Sequence, residues 1–190
     1  MAVDLDKLEE LLQNKLREKF GDKIVELYQS HGELKMEIDR SALVDVMTVL
    51  KEDEDFDFNF LSYCTAVDRL ALGQEPRFEM HYQLYSIRKT HRLHVMCKVP
   101  EEDPRVETLF YVWKASDFME REAFDMFGII FENHPDLRRI LMPDDWEGYP
   151  LRKDFPLGGV KSFYFKRDTD PHAGEPKDLV PRIRTQMSDI

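Results

Sequence analysis

The sequence predicts an α+β fold: a two-layer sandwich of α-β-β-α-β-β-β order with a mixed sheet, followed by a helix and an extended, proline-punctuated C-terminal arm. Three observations carry this. Leucines at 5, 8, 12 and 16 recur at helical spacing. The stretch "RFEMHYQLYSIRKTHRLHVMCKV" alternates apolar and polar residues, as strands with one covered face do. And "HPDLRRILMPDDWEGYPLRKDFPL" carries Pro135, Pro143, Pro150 and Pro156, which break any regular element, among side chains too apolar for a free linker.

Each element follows from local pattern. The first helix closes its stripe with Phe20 and stops at Gly21. "KIVELYQS" and "ELKMEID" read as two strands about a His31-Gly32 turn. A second helix, "RSALVDVMTVLKED", takes Ser41 as its N-cap and buries Leu43, Val46, Met47 and Leu50. "FNFLSYCTAVDR" returns to strand. If Lys89-Thr90 form the next turn, Leu84 faces Val95, Tyr82 faces Cys97 and Met80 faces Val99, while His81, Gln83 and Tyr85 look outward.

The last helix, within "KASDFMEREAFDMFG", starts with Asp117 and Glu120 at capping-box spacing and ends at Gly128. Met119, Ala123, Met126 and Phe127 form its apolar stripe. Glu122 and Asp125 share one face and call for a cation from elsewhere, with Arg121 within helical reach of Asp125. Arg138, Arg139, Arg152 and Lys153 are the nearest supply. The expectation is that residues 134–157 fold back on this helix, with Trp146, Tyr149 and Phe155 packed on apolar surface.

Charge and composition exclude several functions. The 190 residues carry a net charge of −11, which disfavours a nucleic-acid or anionic-membrane partner. All of that charge lies in residues 1–133; residues 134–190 are neutral and hold seven of the ten prolines. The chain is therefore expected to divide into a globular domain, 1–133, and an arm with its tail, 134–190. The N-terminus matches neither a secretory signal nor a transit peptide, and no run of apolar residues is long enough to span a bilayer. Cys64 and Cys97 lack metal-site spacing, and His91 and His94 fall on opposite faces of one strand. No phosphate-cradling loop or nucleophile motif is present. No catalytic, cofactor or metal residue is therefore assigned, and a protein-binding surface is what remains.

The segment "EREAFDMFGIIFENHPDLRRILMPDDWEGYPLRKDFPL" resembles the signature of the thirty-kilodalton subunit of proton-translocating NADH:quinone oxidoreductase (respiratory complex I). Glu120, Arg121, Glu122, Asp125, Gly128, His134 and Pro135 fall on that pattern, as do Arg138 to Leu141, Trp146 and Leu151 to Phe155. The Gly158-Gly159 pair departs from it, and residues 160–190 read as a variable tail. The resemblance implies a non-catalytic subunit with no cofactor of its own, FMN and iron–sulfur clusters being held by partner subunits. It implies docking on the large quinone-cavity subunit and the small cluster-bearing subunit, peripheral to the inner membrane on its cytoplasmic side. Membrane association would be indirect, through those partners. Arg138, Arg139, Trp146, Arg152, Lys153, Asp154 and Phe155 are the expected interface set. The alternatives are the homologous subunit of a membrane-bound hydrogenase or related enzyme, and a free-standing protein-interaction module.

Overall fold

A computed structural model describes residues 5–156. Leu157, the Gly158-Gly159 pair and the expected tail lie outside the described residues. Helix α1 (Leu5–Phe20) turns Leu8, Leu12 and Leu16 inward on one stripe. It stops where Gly21 takes a φ of +54°, a conformation that costs glycine little. Strands β1 (Ile24–Ser30) and β2 (Glu33–Ile38) pair antiparallel about His31-Gly32, both at positive φ, the turn whose twist suits a tight hairpin.

Helix α2 (Leu43–Glu52) buries Leu43, Val46, Met47 and Leu50, the expected stripe. Its entry differs from the Ser41 cap. Asp39 caps a short 3-10 turn over Arg40–Ala42, its carboxylate accepting the Ser41 amide at 2.8 Å. The Ser41 hydroxyl instead accepts from Lys23 Nζ at 2.7 Å. Because Asp39 starts the turn two residues earlier, Ser41 lies inside it rather than at its cap.

Strands β3 (Phe60–Asp68), β4 (Phe78–Ser86) and β5 (His91–Val99) complete a five-stranded sheet of order β1-β2-β5-β4-β3. Within it only β2 and β5 run parallel, so the sheet is mixed, as expected. One face carries Leu34, Met36, Phe78, Met80, Leu84 and Val95 into a core shared with the stripes of α1 and α2. Each such side chain contributes about 1.5–3 kcal/mol by leaving water.

The hairpin register is displaced by two residues from the expected one. Leu84 pairs with Leu93, Tyr82 with Val95 and Met80 with Cys97, because residues 87–90 form a longer turn than Lys89-Thr90 alone. An even slip leaves every side chain on its own face, so apolar alternation does not distinguish the two registers. It does change neighbours on the outer face. Gln83 now pairs with His94, which brings His81 Nδ1 to 2.8 Å from His94 Nε2. His91 points the other way, its Nε2 donating to the Phe56 carbonyl at 2.6 Å.

Two short strands lie outside the predicted elements. β6 (Arg105–Glu107) and β7 (Ile130–Glu132) form a parallel pair on either side of helix α3 (Ser116–Phe127) in the chain. Three residues are too few to show a period. Helix α3 lies against the edge strand β3, where the Cys64 amide donates to Met119 Sδ at 3.2 Å.

Candidate subunit interface

Helix α3 is the platform on which residues 134–155 rest, and its polar residues do other work than their spacing implies. No side chain caps its start, so the Asp117–Glu120 box does not form. Glu120 is fully buried and turned back onto the segment before the helix, accepting from the Thr108 hydroxyl and, at 2.7 Å, from the Leu109 amide. Burial pushes its carboxyl up to about 7 against the downward pull of those bonds. Arg121 does not reach Asp125. Its Nε donates to the Arg138 carbonyl at 3.2 Å and its Nη2 to that of Arg139 at 3.4 Å.

The paired acids of the helix face also separate. Glu122 is exposed, whereas Asp125 is fully buried. One Asp125 oxygen accepts Arg139 Nη1 at 2.6 Å. The other accepts three successive amides, those of Ile140 at 3.1 Å, Leu141 at 2.8 Å and Met142 at 2.8 Å. Burial alone would raise this carboxyl, but the amides and the Arg139 guanidinium hold it below the usual carboxylate range. Arg139 then carries the chain onward, its Nη2 donating to the carbonyls of Trp146 and Gly148 at 3.2 Å each.

A second buried carboxylate holds the far end. Asp68, at the end of β3, accepts the Lys153 amide at 2.8 Å and the Leu70 amide at 2.9 Å. It also pairs with Arg77 at 2.8 Å, and Arg77 in turn reaches Asp154 at 2.7 Å. Burial opposes charge on Asp68, yet Arg77 and the two amides bring its carboxyl down to about 2. Between the two anchors, Leu151 donates its amide to the Met126 carbonyl at 3.1 Å and Arg152 Nε donates to that of Phe127 at 2.7 Å.

Two glycines make room for rings. A Cβ on Gly128 would stand 2.6 Å from the Tyr149 ring and 2.8 Å from Arg152 Nη2, and one on Gly148 would stand 2.7 Å from the Phe155 ring. Phe155 also stacks on Trp146, with centroids 6.2 Å apart.

The expected interface residues thus divide by direction. Arg139, Trp146, Arg152 and Phe155 turn toward contacts within the chain itself, and Asp154 reaches Arg77 although its side chain is 53% exposed. Arg138 is exposed and pairs with Asp136 at 2.8 Å, and the side chain of Lys153 is exposed. Large apolar side chains at Ile140, Leu141 and Leu151 are also exposed, at 37%, 57% and 49%. Of the signature residues, Glu120, Arg121, Asp125, Gly128 and His134 build the platform, while Glu122 and Pro135 face solvent.

Sequence reading missed Asp68 and Arg77. A signal existed: Asp68 continues the buried phase of Cys64 and Ala66 in β3, and a charge on an apolar phase needs a partner. Among the described residues, no group of three or more His, Cys, Asp or Glu converges in a way that could hold a metal ion.

Residues 36–161 match the family described as respiratory-chain NADH dehydrogenase, 30 Kd subunit, a span that takes in most of the sheet, α3 and both anchors. This chain belongs to that family. A curated relative, the C-type subunit of NADH-quinone oxidoreductase from Geobacter sulfurreducens, is 43% identical over 160 residues, covering 84% of this chain and 93% of its own. The corresponding subunit from Roseiflexus sp. strain RS-1 is 44% identical over 155 residues, covering 81% and 88%. Among solved structures, a trypsin-resistant fragment (1–134) of Nqo5 is similar with a TM-score of 0.59 and 32% identity, over 69% of this chain and 99% of that one. A chain of an archaeal membrane-bound sulfane sulfur reductase shares the fold, with a TM-score of 0.67 and 24% identity over 86% and 99%.

Proposed function

We propose that this chain is a non-catalytic peripheral subunit of an NADH:quinone oxidoreductase, supporting the module that reduces quinone while other subunits carry FMN and iron–sulfur clusters. The match over residues 36–161 is the observation that carries this reading, because it covers the anchored segment as well as the sheet. Division of the chain at residue 133 into body and arm is part of the proposal. The arm meets the large quinone-cavity subunit and the small cluster-bearing subunit. Its inward side chains fix its shape, and the outward set of Arg138, Ile140, Leu141, Leu151 and Lys153 supplies the contact surface. Attachment is peripheral to the inner membrane on the cytoplasmic side; no helix among the described residues is long and apolar enough to cross a membrane.

Affinity capture of the tagged full chain from native membranes in mild detergent tests this. Flavin-bearing, cluster-bearing and quinone-cavity subunits are expected together. Nickel-site subunits of a hydrogenase, or no stable partner, would overturn it. The pair Leu141→Asp and Leu151→Asp should lose those partners while the melting temperature holds.

A further inference from the structure

Where the arm leaves the body, His134 is held in one orientation. Its side chain is fully buried, and its Nδ1 accepts the Asp136 amide at 3.1 Å. The neutral ring must then carry its proton on Nε2. That nitrogen has no hydrogen-bond partner, yet it lies 3.6 Å from Asp117 Oδ1, itself buried without one, and 3.8 Å from Glu120 Oε2. Two carboxylates and one ring N–H therefore face each other where the 108–109 segment, α3 and the root of the arm meet; Glu120 is fully buried, and Asp117 keeps 28% of its side chain exposed.

We propose that Glu120, Asp117 and His134 form a proton-holding latch at the root of the arm, whose loss of one proton loosens residues 134–138 from α3. With Glu120 protonated, a single carboxylate faces the His134 N–H. When Glu120 releases its proton to solvent, two carboxylates, one of them fully buried, confront one neutral donor and repel each other. The other groups facing Glu120 are the hydroxyls of Thr108 and Ser116, the Leu109 amide and, from the sheet, the Cys64 thiol and the Tyr82 phenol. Burial raises the thiol and phenol well above their ordinary values, so neither ionises near neutrality. The Glu120 carboxyl, at about 7, is the group that changes there. Because that value lies above its unfolded 4.5, its stabilisation is full below 4.5 and is lost as pH rises through about 7.

That loosening bears on partner binding through the reading, proposed above, that the arm meets a partner. The latch itself is tested on the purified full chain, whatever partner capture finds. Carboxyl ¹³C resonances are followed from pH 5 to 8.5, together with exchange of the Asp136 amide corrected for intrinsic base catalysis. One glutamate resonance should titrate near neutrality and vanish in Glu120→Gln. Asp136 exchange should speed up about tenfold across the same midpoint, while amides of β1 and β2 stay unchanged. Asp117→Asn, a milder change, should keep the fold and move the midpoint to lower pH. The latch is overturned if no glutamate titrates above pH 6, if Asp136 exchange is flat, or if Asp117→Asn leaves the midpoint in place.

Discussion

In the five-stranded sheet, Leu84, Leu93, Val95 and Met80 are interchangeable contributors to one apolar core, each fully buried and each adding area. Between residues 139 and 154 the polar attachments gather at two points: four groups converge on Asp125, and the Lys153 and Leu70 amides, with Asp154 and Glu101, converge on Asp68 and its Arg77. The sheet shares its stability among many apolar side chains, so one loss is diluted. The arm concentrates it on two carboxylates, and one loss strands several donors at once.

That difference predicts an order of effects. Asp125→Ala should be the most severe, costing about 3–5 kcal/mol, because it leaves the largely buried Arg139 guanidinium without its counter-ion and three amides without their acceptor. Its mark is selectivity: trypsin should gain access to Arg139 and Arg152 well below the temperature at which the sheet melts. Leu12→Ala in α1, at 0% exposure, should cost about 2–5 kcal/mol. Its loss should appear as a lower global melting temperature, with no selective opening of the arm.

Acid should also separate the two regions. Asp68 has its folded-state pKa lowered from 3.8 to about 2, so its contribution is full above 3.8 and is lost as pH falls toward 2. That loss is worth about 2 kcal/mol, and fluorescence of Trp146 should report release at the arm before far-ultraviolet circular dichroism reports loss of the sheet. Gly128→Ala should cost about 1–3 kcal/mol, since φ is +77° and the new methyl meets Tyr149. Tyr149→Leu in the same chain should recover part of it, which a purely local backbone effect would not allow. Smallest of all, Glu122→Gln should move the melting temperature little, within about 0.5 kcal/mol for an exposed site. A large effect at Glu122 would put the cation partner on the wrong acid.

The same contrast explains what is legible in advance. Apolar side chains at helical and strand periods report their own burial, so α1, α2, the hairpin faces and the mixed sheet can be read from Leu8 to Val99. Register cannot, since a slip of two preserves every face. Polar anchors carry no period. Nothing local separates buried Asp125 from exposed Glu122 three residues away, and Lys153 finds Asp68 across 85 positions. The signature pattern marks the right stretch, and only the folded chain divides its side chains into inward and outward.

Amide hydrogen exchange on the purified chain, read residue by residue, tests most directly whether two carboxylates hold the arm. The amides of Ile140, Leu141, Met142 and Lys153 should all exchange far more slowly than in an unfolded chain. Asp125→Ala should release the first three and leave Lys153 protected. Unprotected rates at all four in the wild type, or no change in the variant, would contradict the account.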